Sequence, residues 1–142
     1  MGTFQILDED TGTDICFTAE AETLPKLLEA CAMATISTMT DASKIKPTER
    51  HNITVHANAL DDLLIDWLSE LIFLKDSESF LPGRFRVRCP EVPSFHLQAL
   101  VEGEPIDRGR HKMNANIKTA TYHELEIGKV GDVWRARVSL EK

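Results

Sequence analysis

The stretch Asn58–Leu74, NALDDLLIDWLSELIFL, decides the fold. Leu60, Leu63, Leu64, Trp67, Leu68, Leu71 and Leu74 recur at spacings of three and four, which sets them on one face of a helix. Asn58 is placed to cap that helix, and Asp61 and Asp62 suit the positive end of its dipole. Burying the whole stripe is worth about 10 to 20 kcal/mol gross, at about 1.5 to 3 kcal/mol per side chain. A face of this size requires a sheet to cover it, and Trp67 reads as core rather than as a binding platform. The segment from Asp76 to Gly83 is expected to break the helix.

Upstream, Thr23 can cap a second helix running to about Met39, with Pro25 tolerated in its first turn. Leu24, Leu27, Leu28, Cys31, Ala32, Thr35 and Met39 form its apolar face. The remaining positions are Ala, Ser and Thr rather than charged, which predicts cover on more than one side. Strand patterns surround the helices: Thr3 to Leu7, Ile15 to Ala19, Arg50 to His56, Phe85 to Cys89, Phe95 to Glu102, Ile117 to Ile127 and Val133 to Leu140. The first two are joined by DEDTGTD, a turn by composition, and the last two by Gly128 to Asp132, a hairpin loop. Residues 1–142 therefore read as one two-layer α+β domain, about seven mostly antiparallel strands with two helices packed on the sheet.

Composition narrows the functional classes. The chain has 142 residues, 42% hydrophobic and 27% charged, as in soluble globular proteins. A net charge of −7 argues against a general nucleic-acid coat, which needs clustered Lys and Arg, although a local basic face stays compatible. Cys16, Cys31 and Cys89 are far apart and never in C-x-x-C spacing, so they read as small core residues in a reducing cytoplasm. MGTFQILDED lacks the pattern of a signal peptide, and acidic residues interrupt the longest apolar run, so no membrane contact is expected.

No P-loop, G-x-G-x-x-G, G-x-S-x-G or H-E-x-x-H is present. His123 and Glu124 adjoin, yet on a regular strand they would project to opposite sides, so adjacency does not make them an acid/base dyad. His51 and His56 read as surface residues of their strand. Arg84, Arg86 and Arg88 alternate with Phe85, Val87 and Cys89, which places three guanidinium groups on one strand face. They serve either contact with RNA phosphate or an acidic partner, or a solvated face paired with nearby Glu. Asp8, Glu9, Asp10 and Asp14 crowd one early turn, and Glu141 and Lys142 carry oxygen donors at the other extremity. If those extremities meet, the oxygens suit a hard cation.

The densest polar segment is EPIDRGRHKMNANIKTATYHELEI, Glu104 to Ile127. Its order E-P-x-D-x-x-R-H, then K-x-x-T-Y-H-E-L-E, resembles the archease family, small proteins that assist the RtcB-type tRNA-splicing ligase. FQILD near the start, Asp14-Ile15, S-T-M-T-D at Ser37 to Asp41, D-D-L-L-I-D-W-L-S-E-L at Asp61 to Leu71 and the final W-R-A-R-V-S-L-E fall in the family's order.

The resemblance implies an accessory protein, not an enzyme, that promotes guanylylation and repeated turnover of an RNA ligase joining a 2′,3′-cyclic phosphate end to a 5′-hydroxyl end. It implies a divalent metal, Ca²⁺ or Mg²⁺/Mn²⁺, at Asp14, Glu141 and the main-chain carboxylate of Lys142. It places Asp107, Arg110, His111, Lys118, Tyr122 and His123 near the functional surface, with the ligase as partner and RNA contacted at most indirectly. Two departures stand out. The family's D-H-T-A-D-I reads D-E-D-T-G-T-D-I here, without the His, and the usual Asp near the end is Glu141. Flexible Ca²⁺ geometry absorbs a longer side chain more readily than octahedral Mg²⁺ does. Arg110 stands where the family often has Lys, preserving charge but changing hydrogen-bond geometry.

Overall fold

The computed structural model describes residues 2–7 and 14–142. The turn predicted at DEDTGTD, with Asp8, Glu9 and Asp10, lies outside the described residues apart from Asp14. Among the described residues the chain runs β1 (Thr3–Leu7), β2 (Asp14–Ala21), α1 (Leu24–Met39), β3 (Glu49–Ala57), α2 (Leu60–Glu78), β4 (Phe80–Arg88), β5 (Phe95–Pro105), β6 (Thr119–Val130) and β7 (Val133–Glu141). The strands form two antiparallel sheets, ordered β1-β2-β7-β6 and β3-β5-β4.

Both helices touch strands of both sheets: α1 packs on β2 and β4, α2 on β6, β4 and β3. This explains the small-residue composition of α1, where Ala30, Ala32, Ala34, Ile36 and Thr38 are buried along with the apolar stripe. Thr23 caps α1 by accepting from the Lys26 amide at 3.3 Å. The α2 stripe is buried as its spacing predicts, with Leu60 at the margin. Trp67 donates its indole N–H to the Leu28 carbonyl at 2.9 Å, tying the two helices together inside the core.

Two local expectations are corrected. Asn58 does not cap α2; Ala59 is the cap residue, and the Asn58 side chain instead accepts from the Ser94 hydroxyl at 3.0 Å. Nor does the helix break at Asp76. It continues to Glu78 and ends because Ser79 adopts the left-handed conformation, its amide donating to the Leu74 carbonyl. Lys75 repays that extra turn: its buried ammonium meets Asp76, Asn116 and the Ile117 carbonyl at 2.8 to 2.9 Å. The three cysteines are buried and free, as their spacing predicts.

In β5, Gly103 sits between β3 and β4, and a Cβ there would run into the carbonyl oxygen of Leu81. Gly128, in β6, has open space instead. Gly103→Ala is expected to cost about 3 kcal/mol or more in urea unfolding, and Gly128→Ala to stay within about 1 kcal/mol of the parent. Equal costs would contradict the close approach of β5 and β4.

Candidate functional site

The last strand brings the two extremities together. β7 pairs with β2 so that Glu141 faces Asp14, and with β6 so that the same Glu141 faces Thr119. The Lys118 amide donates to the Glu141 carbonyl at 2.8 Å, closing the sheet end. Asp14 is half-buried and Glu141 exposed, and neither side chain bonds to another described residue. Directly opposed residues have Cβ atoms about 4.5 to 5.5 Å apart, where like charges repel. A cation between them would relieve that repulsion, and an all-oxygen donor set suits a hard ion. No group of three or more His, Cys, Asp or Glu positioned for a metal occurs among the described residues, so Asp14 and Glu141 require a further donor.

Asp107, Arg110 and His111 are brought together by a residue absent from the predicted site, Glu104. Its carboxylate lies buried at the end of β5. One oxygen accepts from Arg110, the Lys46 amide and the His111 ring at 2.8 to 2.9 Å, and the other accepts from the second Arg110 amino group. His111 is buried too, and its Nδ1 accepts from the Asp107 amide at 2.9 Å. That bond fixes the tautomer: the ring proton sits on Nε2 and is donated to Glu104. Asp107 closes the turn, its side chain accepting from the Gly109 amide at 3.0 Å and its carbonyl from the Arg110 and His111 amides. The E-P-x-D-x-x-R-H order is thus a carboxylate and the turn that delivers its partners.

The Arg110 guanidinium, with the Lys46 amide and His111 ring, holds the Glu104 carboxyl down at about 2, against an ordinary 4.5. The loop after this clamp is pinned to α1, where the Asn114 amide donates to the Met39 carbonyl at 2.6 Å and Thr40 donates to Lys112 at 2.8 Å.

Lys118 is exposed beside the Asp14–Glu141 pair. Tyr122 lies apart from it, exposed, donating to Asp62 on α2 at 2.7 Å; that bond pushes its hydroxyl up to about 12. His123 and Glu124 depart from the regular-strand expectation. Glu124 takes a left-handed conformation where the β6–β7 register shifts, and the two exposed side chains come within 4.0 Å. Arg84, Arg86 and Arg88 are exposed on β4, on the far side of the other sheet.

Seven antiparallel strands and two helices among the described residues, with a carboxylate pair where β2 meets β7, define a small α+β protein. The sequence profile of the archease protein family matches residues 4–141. Protein archease of Methanosarcina acetivorans is 31% identical over 130 residues, covering 90% of this chain and 89% of its own. Protein archease of Methanothermobacter thermautotrophicus is 32% identical over 133 residues, covering 93% and 94%. The solution structure of protein 1598 of Methanobacterium thermoautotrophicum superposes with a TM-score of 0.82 at 29% identity over 98% of each chain. The crystal structure of an archease, possible chaperone, from Thermotoga maritima shares the fold, with a TM-score of 0.62 at 19% identity over 90% of each chain. The chain belongs to the archease family.

Glu104 is ionised down to about pH 2 in the folded protein, so the clamp's contribution is complete above pH 4.5 and fades between 4.5 and about 2. Glu104→Gln is expected to cost about 3 kcal/mol at pH 7. Parent and variant should converge in urea unfolding as pH falls from 4.5 toward 2; a gap independent of pH would contradict the ionic clamp.

Proposed function

We propose that this chain is an accessory protein of an RtcB-type RNA-splicing ligase, promoting guanylylation and repeated turnover of the ligase without forming the RNA bond itself. The observation that carries this reading is the facing of Asp14 and Glu141 across β2 and β7, in a chain of the archease family. Both carboxylates lack a partner among the described residues and stand at the end of the sheet, open to a second protein.

Asp14, Glu141 and the main-chain carboxylate of Lys142 would hold a divalent cation, Ca²⁺ or Mg²⁺/Mn²⁺. Bound there, the ion would offset the negative charge of facing carboxylates and supply open coordination positions. Asp14 and Glu141 fix the spacing because their backbones are locked in register. Lys118, whose amide anchors Glu141, adds an exposed cation beside them. The Glu104 clamp holds the loop that presents Arg110 at a fixed place on the surface. Asp107 and His111 act through that clamp as positioning residues, and Tyr122 and His123 lie exposed further along β6.

With the cognate ligase, GTP and Mn²⁺, adding this protein should speed formation of the ligase–GMP adduct and allow more than one turnover. Asp14→Asn is expected to weaken that stimulation by about 10-fold or more, the loss typical of disturbed metal sites, while leaving the unfolding midpoint close to that of the parent. An adduct rate indifferent to the protein would overturn the proposal.

A further inference from the structure

Among the described residues no helix lies over the outer face of the sheet β3-β5-β4, and its composition is unlike the rest of an acidic chain. The pairing register sets out its rows: Arg50, Glu102 and Arg84 lie side by side, then Asn52, Leu100 and Arg86, then Thr54, Gln98 and Arg88, and last His56 beside His96. Four guanidinium groups flank a single carboxylate. Arg50, Arg84, Arg86 and Arg88 are exposed, and none has a hydrogen bond or ion pair with a described residue. A solvated face neutralised by neighbouring Glu therefore does not describe it; even Glu102, directly opposite two of the arginines, pairs with neither.

We propose that this face binds a single strand of nucleic acid, with its phosphodiester backbone along the arginine column of β4 and its bases turned toward β5 and β3. Alternate residues of a strand lie about 6.7 Å apart on one face, close to the separation of successive phosphates along an extended strand. Arg84, Arg86 and Arg88 thus offer one guanidinium per phosphate, in the fork geometry that matches phosphate oxygens. A hollow of about 440 Å³, lined by Arg86, Arg88, Asn52, Thr54, Gln98 and Leu100, gives a base an apolar floor and amide and hydroxyl edges. At its far end the exposed rings of His56 and His96 meet with centroids 4.1 Å apart and planes tilted by 49°, leaving an imidazole face on which a further base can lie. The remaining surface is net negative, which confines a polyanion to this one face. An acidic protein would satisfy the arginines but leave the polar hollow and the imidazole platform unused. The inference stands on this face alone and does not require the ligase role.

The test titrates the whole protein against labelled oligouridine of about ten nucleotides, the corresponding oligothymidine, and polyglutamate. Three phosphate contacts, one per guanidinium of β4, predict a slope of about −2.1 in log affinity against log salt, an affinity loss of roughly 20-fold between 50 and 200 mM. The triple variant Arg84→Gln, Arg86→Gln, Arg88→Gln should lose most of the binding and flatten the slope toward zero, whereas the triple Lys variant keeps a steep slope. Thermal melting of each variant confirms that it folds. Preference between the two oligonucleotides identifies the sugar and supports the inference either way. Undiminished binding by the folded Gln variant, absence of oligonucleotide binding, or tighter binding of polyglutamate than of either oligonucleotide would overturn it.

Discussion

The position of β7 between β2 and β6 is the constraint on which the rest depends. Phe17 on β2, Trp134, Ala136, Val138 and Leu140 on β7, and Ala120 on β6 are all buried, so each strand has a dictated inner face. A slip of one residue would turn every one of these side chains outward, and burial at about 25 cal/mol per Å² forbids that. The facing of Asp14 and Glu141 follows from this apolar register, with neither of their side chains bonded to another described residue. Two like charges are tolerated opposite each other because the core, rather than the site, fixes where they stand.

Three polar centres are supported in three different ways. The Asp14–Glu141 pair is without a side-chain partner among the described residues, placed by the sheet. The Glu104 cluster is the reverse case: a buried carboxylate whose lone pairs are filled by Arg110, His111 and Lys46, so that its turn has one arrangement. The arginine face has neither burial nor, among the described residues, partners, only strand periodicity. A closed cluster contributes rigidity, whereas an open one retains the capacity to bind. Arg110 belongs partly to both, anchored at its guanidinium yet still exposed at the surface.

Periodicity made the elements legible in the sequence. The three-and-four spacing from Leu60 to Leu74 and the alternation from Trp134 to Leu140 each report a buried face, and burial is what built those elements. Thr23 was readable because an N-cap is a local bond. Asn58 was not, since its side chain is drawn to Ser94 across the fold. The extension of α2 beyond Asp76 depends on Ser79 and on the buried Lys75, whose partners lie about forty residues away in sequence. Likewise the motif around Arg110 and His111 was visible, and its Asp-Arg-Gly-Arg composition marks a turn, but that Glu104 is its hub depends on where that turn aims the two side chains, which sequence order does not show. The division into two sheets rests on pairing between distant strands, which no single strand encodes. Proximity of the chain's extremities was a geometric expectation from the terminal patterns, and the pairing of β2 with β7 meets it.

The central claim is that Asp14 and the final residues form one cation site. A crystal structure of the protein grown with Ca²⁺ tests it most directly. An ion is expected between Asp14 and Glu141, with oxygens at about 2.3 to 2.6 Å and the Lys142 carboxylate among them. Clear density for both side chains with no ion between them, or an ion bound elsewhere, would contradict it.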